Sequence, residues 1–136
     1  MYLSLPAYSL PVVGSVQLTL SCGTSHASIQ VSINSPPSQG VLLVTPATGG
    51  IAMVTDYAMT ASQWISSNLP LNYEFAFTLG LGQYASNQLV VQARSLTSSA
   101  QSKLPAPPAS ANKFVQCVVN VVDAYGASAI FNFFNL

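Results

Sequence analysis

From Leu71 to Phe77 the chain alternates without a break: Leu71, Tyr73, Phe75 and Phe77 fall on one face, Asn72, Glu74 and Ala76 on the other. A period of two with aromatic residues on the apolar side defines a half-buried strand and excludes an amphipathic helix. Asn68, Leu69 and Pro70 read as the turn that feeds it, because proline fixes φ and offers no N–H to a ladder. Trp64, the only tryptophan, stands just ahead. This arrangement predicts the central strand of a β-sandwich, with Trp64, Leu71, Tyr73, Phe75 and Phe77 in its core and Cys117, Val119 and Val121 joining them from a later strand.

The same alternation recurs along the chain. Val16, Leu18, Leu20 and Cys22 alternate with Gln17, Thr19 and Ser21; after a turn over residues 23–26, Ile29, Val31 and Ile33 alternate with Gln30 and Ser32. Residues 34–40 are a turn cluster, and residues 41–45 form a short strand closed by Pro46 and Gly49-Gly50. Residues 51–61 read as one strand with Met53, Thr55, Tyr57 and Met59 on one face. Residues 88–96 supply another, and residues 98–112 read as a proline-bearing loop. Residues 114–122 form the longest predicted strand, turning through Asp123-Ala124-Tyr125-Gly126 into a hairpin partner over 127–136. Short strands, Gly/Pro turns and no helical period predict an all-β fold, an antiparallel sandwich over residues 15–136 preceded by an extended tail over residues 1–14.

Charge is the second constraint. Charged residues make up 4% of the 136 positions, against about 25% in an ordinary soluble domain. Net charge is formally zero, so no basic face is available for phosphates and no nucleic-acid partner is expected. No apolar run approaches the ~20 residues of a spanning helix, so no membrane insertion is expected. The first residues carry no positive n-region, and Pro6 and Pro11 interrupt the place of an h-region. They make a poor signal peptide, so either a leader has been removed or Met1 is not the true start. Scarce charge, abundant Ser and Thr, and two cysteines favour an extracellular protein, secreted or at the cell surface. Asn34-Ser35-Pro36 fails as a glycosylation sequon and no other occurs, so covalent sugar is expected to be O-linked, on residues 95–110.

From about Ala27 onward the pattern resembles the Ig-like modules of the receptor-for-egg-jelly (REJ) and polycystin family. Three pieces carry the resemblance: Ser35-Pro36-Pro37-Ser38-Gln39-Gly40; Trp64 followed by Leu69-Pro70-Leu71-Asn72-Tyr73-Glu74-Phe75; and residues 118–129, which look like the last hairpin of many extracellular sandwiches. The resemblance implies an Ig-like sandwich of the fibronectin type III or PKD kind over about 27–136, used for adhesion, recognition or structure, with no catalytic residues to carry over. The cysteines depart from the Ig pattern. Cys117 lies in the next-to-last strand, but the 51–61 strand has no partner for it, and Cys22 is the only other cysteine. A Cys22–Cys117 disulfide, intermolecular bonds and two free thiols are all open alternatives.

Candidate chemistry is thin. Asp56, Glu74 and Asp123 are the only acids and are scattered, His26 sits in a predicted turn, and no spacing suits a zinc or calcium site. No enzyme activity, cofactor or metal is expected. The tyrosines and phenylalanines sit where a core needs them, so a carbohydrate-stacking platform is the lesser reading.

The two ends are apolar without an evident home. Tyr2, Leu3, Leu5, Tyr8, Leu10, Val12 and Val13 line an extended tail broken by two prolines, and the last strand is apolar on both faces, with Phe131 and Phe133 on one and Ile130, Phe134 and Leu136 on the other. Such a tail can add to a neighbour's sheet, and a head-to-tail contact that does not close makes a filament. The expectation is a self-assembling extracellular filament subunit that uses these tail residues with Phe131 and Phe133. The alternative is one module of a receptor or adhesin ectodomain that binds a glycan or a protein.

Overall fold

The computed structural model describes residues 4–6, 9–11, 14–79, 88–107 and 115–134, and among these the regular structure is entirely β. The strands are β1 (Gly14–Cys22), β2 (Ser25–Ile33), β3 (Val41–Thr45), β4 (Asp56–Ser62), β5 (Asn72–Leu79), β6 (Leu89–Ser95), β7 (Ser99–Lys103), β8 (Val115–Val122) and β9 (Ser128–Phe134). The sequence suggested one sandwich beginning at residue 15. The chain instead forms two compact units, Met1–Ser35 and Pro36–Leu136.

In the first unit β1 and β2 pair antiparallel from Gly14↔Ile33 to Cys22↔Ser25. Two residues, Gly23 and Thr24, make the turn, and Gly23 takes φ 60°, the glycine position of a type II′ hairpin whose twist matches its strands. His26, expected in the turn, therefore lies in β2 opposite Ser21.

The second unit holds two sheets, in order β3-β4-β7 and β6-β5-β8-β9. After β5 and β6 the chain returns to pair β7 with β4, the crossover that makes the sandwich Ig-like. At the edges β3 runs beside β9 and β6 beside β7. Between the sheets lies a core of Leu42, Val44, Tyr57, Met59 and Ala61 facing Phe75, Phe77, Cys117, Val119 and Val121, with Trp64, Tyr73 and Phe133 packed against it. β5 is central, as its alternation predicts: Tyr73, Phe75 and Phe77 lie opposite Val121, Val119 and Cys117 of β8. The reverse face departs from expectation. Ala76, Thr78, Gln116, Val118 and Val122 are buried too, and Glu74, expected to face water, is half-buried.

Two elements differ from the periodic reading. Residues 51–55 form a turn closed by Val54 and Thr55 N–H donating to Ile51 O, with the Thr55 hydroxyl accepting from Ile51 N–H. Met53 sits there at φ 59° and is exposed, so the strand begins only at Asp56 and Met53 leaves the predicted apolar face. Residues 99–103, read as loop, form β7 because β4 offers them a ladder from Thr60↔Ser99 to Asp56↔Lys103. Nothing in Ser-Ala-Gln-Ser-Lys favours a strand by itself.

The three pieces that carried the family resemblance meet in space. Ser38 and Ile65 exchange backbone hydrogen bonds at 3.0 Å, and a Cβ on Gly40 would stand 1.9 Å from the Trp64 ring. Ala124 N–H donates to Asn68 O at 3.1 Å. The buried Asp123 carboxylate accepts from Tyr125 and Ala127 N–H, both at 2.9 Å. Gly40→Ala is expected to cost about 1–3 kcal/mol by overpacking, and much less in a Trp64→Ala background, where the clash is gone. Equal losses in both backgrounds, by urea denaturation, would contradict this contact.

Candidate functional site

Among the predicted tail residues, Leu5 and Leu10 are exposed; Tyr2, Leu3, Tyr8, Val12 and Val13 lie outside the described residues. At the other end, register places Phe131 opposite Val119 and Phe133 opposite Cys117, on the core-facing side of β9. Phe133 packs against the core and is not a free contact residue. Phe131 is partly open at the edge strand, while Ile130 points to the other face and is exposed. The end strand that looked apolar on both faces thus commits Phe133 to its own sandwich, while Phe131 stays open at the edge.

An open apolar face lies elsewhere, on the β1–β2 hairpin. Val16, Leu18 and Leu20 stand opposite Val31, Ile29 and Ala27, and Leu20 and Ile29 are 56% and 62% exposed. The other face is polar: Gln30 Nε2 donates to Ser15 Oγ at 2.8 Å, and His26 Nδ1 lies 2.9 Å from Ser21 Oγ. No Asp, Glu, Lys or Arg occurs between Gly14 and Ile33. The sequence carried this signal as alternation in both strands, but period two marks an apolar face without saying whether it becomes a core or a surface.

The ionisable groups serve structure. Lys103 Nζ donates to Asp56 Oδ1 at 2.6 Å and to Val54 O at 3.2 Å, tying the end of β7 to the start of β4; both side chains are about half exposed, so the pair contributes at most about 1 kcal/mol. Asp123 shapes the β8–β9 turn, and Glu74 lies opposite Asn120 on the outer face of its sheet. No two of the three acids are strand neighbours. Among the described residues, no three His, Cys, Asp or Glu gather into a metal-binding group, and no helix is long and apolar enough to cross a membrane.

Of the alternatives for the cysteines, the structure has two free thiols, Cys22 exposed and Cys117 buried. The Cys22–Cys117 disulfide is not formed, because Cys117 points into the core of the second unit between Phe77 and Phe133. Burial pushes the Cys117 thiol up to about 12. That suppresses the thiolate on which cysteine chemistry depends, so this side chain behaves as a small apolar residue.

Among the comparisons with known proteins, the model of the REJ domain matches residues 6–133, a span that takes in both compact units. Neither a curated protein nor a solved structure matches the chain.

Proposed function

The chain belongs to the REJ domain family, and from that premise we propose that it is a non-enzymatic module of an extracellular, receptor-type ectodomain that recognises a protein neighbour through the apolar face of its hairpin. REJ domains are extracellular in polycystin-type proteins. The observation that carries the reading is the open row around Leu20 and Ile29 on a ribbon without charge. A two-stranded hairpin is marginally stable alone, and covering its apolar face removes that surface from water.

A second reading makes the neighbour another copy of the chain, assembled head to tail into a filament. What favours it is the formal net charge of zero, which leaves little repulsion between copies. Leu20→Gln combined with Ile29→Gln tests both readings in the whole chain. Binding to an immobilised ectodomain panel is expected to fall at least tenfold in the double variant, and unchanged binding would remove the hairpin from the contact. For the filament, light scattering and negative-stain microscopy should show assembly of the intact chain, reduced on deleting residues 1–14 or introducing the double change. A monomer in every case ends that reading.

Covalent O-linked sugar is proposed on residues 95–110, where Thr97 and Ser99 stand exposed. Intact-mass measurement on secreted protein tests this, and an unmodified mass refutes it.

A further inference from the structure

At the end of the sandwich where β4 begins and β7 ends, the second unit has an open-sided pocket of about 390 Å³ lined by Gly50, Tyr57, Leu104, Pro105, Ala106 and Pro107 among others. That volume is in the range of small-molecule sites. Tyr57 is only 5% exposed, and its hydroxyl, which makes no hydrogen bond among the described residues, is not sealed in the core but opens on this pocket. Facing the pocket, that hydroxyl is free to donate to or accept from a bound group. Gly50 is what gives this hydroxyl room, because a Cβ there would stand 1.7 Å from it. Among the described lining residues, the pocket therefore combines apolar side chains with one side-chain hydroxyl.

We propose that this cavity is a binding pocket for an uncharged, ring-sized apolar group bearing one oxygen, held by a hydrogen bond to the Tyr57 hydroxyl. The wall selects the chemistry. Leu104, Pro105, Ala106 and Pro107 bring no charged or polar side chain, and the nearby Lys103 and Asp56 are engaged with each other, so an ionic ligand would go in without a counter-charge. A sugar ring would bury several hydroxyls against aliphatic carbon, each leaving an unmade hydrogen bond. A phenol-like ring buries its carbon against the prolines and presents one oxygen to Tyr57. Its source is either a free small molecule or a tyrosine side chain on a partner polypeptide. This pocket belongs to the second unit and does not depend on the hairpin reading.

The test is a titration of the whole chain, isotope-labelled, with p-cresol, toluene and N-acetyltyrosinamide, followed by NMR at the Tyr57 and Leu104 signals. Saturable binding of p-cresol is expected, tighter than that of toluene by roughly fivefold, the worth of one hydrogen bond. Tyr57→Phe keeps the volume and should erase that difference while toluene binds as before. Ala106→Trp, at an exposed position on the pocket wall, should block both ligands while leaving the dispersion of the spectrum intact. N-acetyltyrosinamide binding at least as well as p-cresol points to a polypeptide partner; p-cresol alone points to a free ligand. Absence of saturable shifts, or equal p-cresol affinity in Tyr57→Phe and wild type, overturns the proposal.

Discussion

Phe75→Ala is expected to remove about 3–5 kcal/mol of stability from the second unit, the largest loss of any single truncation discussed for this chain. The ring is 0% exposed and stands opposite Val119 on the core side of the central strand. Its removal withdraws the aromatic surface from the core and leaves a void that neighbours on two sheets, Met59 and Val44 on one and Val119 on the other, fill only in part. Because whole domains are stable by only about 5–15 kcal/mol, a substantial share of the molecules should unfold on mild warming. Urea denaturation followed by Trp64 fluorescence measures the loss, since Trp64 packs against the same cluster. Tyr125→Ala, at the exposed β8–β9 turn, is the matching control and should change stability by less than about 0.5 kcal/mol. A loss below about 1 kcal/mol for Phe75→Ala would mean that the sheets do not close over this ring.

Raising pH from 9 to 12 should cost the fold about 4 kcal/mol through Cys117 alone. Burial lifts this thiol from its ordinary 9.0 to about 12. Above pH 9 the unfolded chain releases the proton and gains a solvated thiolate, while the folded chain keeps the neutral thiol. The unfolded state then binds fewer protons, so stability falls as pH rises. The contribution is complete below pH 9 and is lost progressively up to pH 12. The measurement is a comparison with Cys117→Ala, which isolates this thiol: the wild-type stability curve should fall more steeply by that amount. Parallel curves would refute it. A thiol reagent gives an independent check, labelling Cys22 at once in the native protein and Cys117 only after denaturant is added.

The parts of the fold that were legible in the sequence are those with strong local periodicity. Leu71–Phe77 and residues 118–122 alternate or run apolar through enough positions to mark both strand and inward face, and Asp123-Ala124-Tyr125-Gly126 carries its turn chemistry in four consecutive residues. The candidate sites were legible only in part. The hairpin's apolar face was visible as alternation, but its exposure was not. The tyrosine pocket left no trace, because Gly50, Tyr57 and Pro105 come together only when β4 and β7 pair.

The sequence alone determined that the regular structure of the described residues is β, that Phe75 and Val119 face a core, and that the chain carries almost no charge. These follow from side-chain spacing and composition, which every conformation of the chain shares. Only the tertiary structure decided that residues 14–33 stand as their own hairpin, that Ser99–Lys103 is a strand, that residues 51–55 turn, and that Cys117 is a sealed free thiol. Each of those depends on which partner a segment meets. A weak strand former is ordered by the ladder its neighbour offers, and an apolar row becomes core or surface according to what is packed against it.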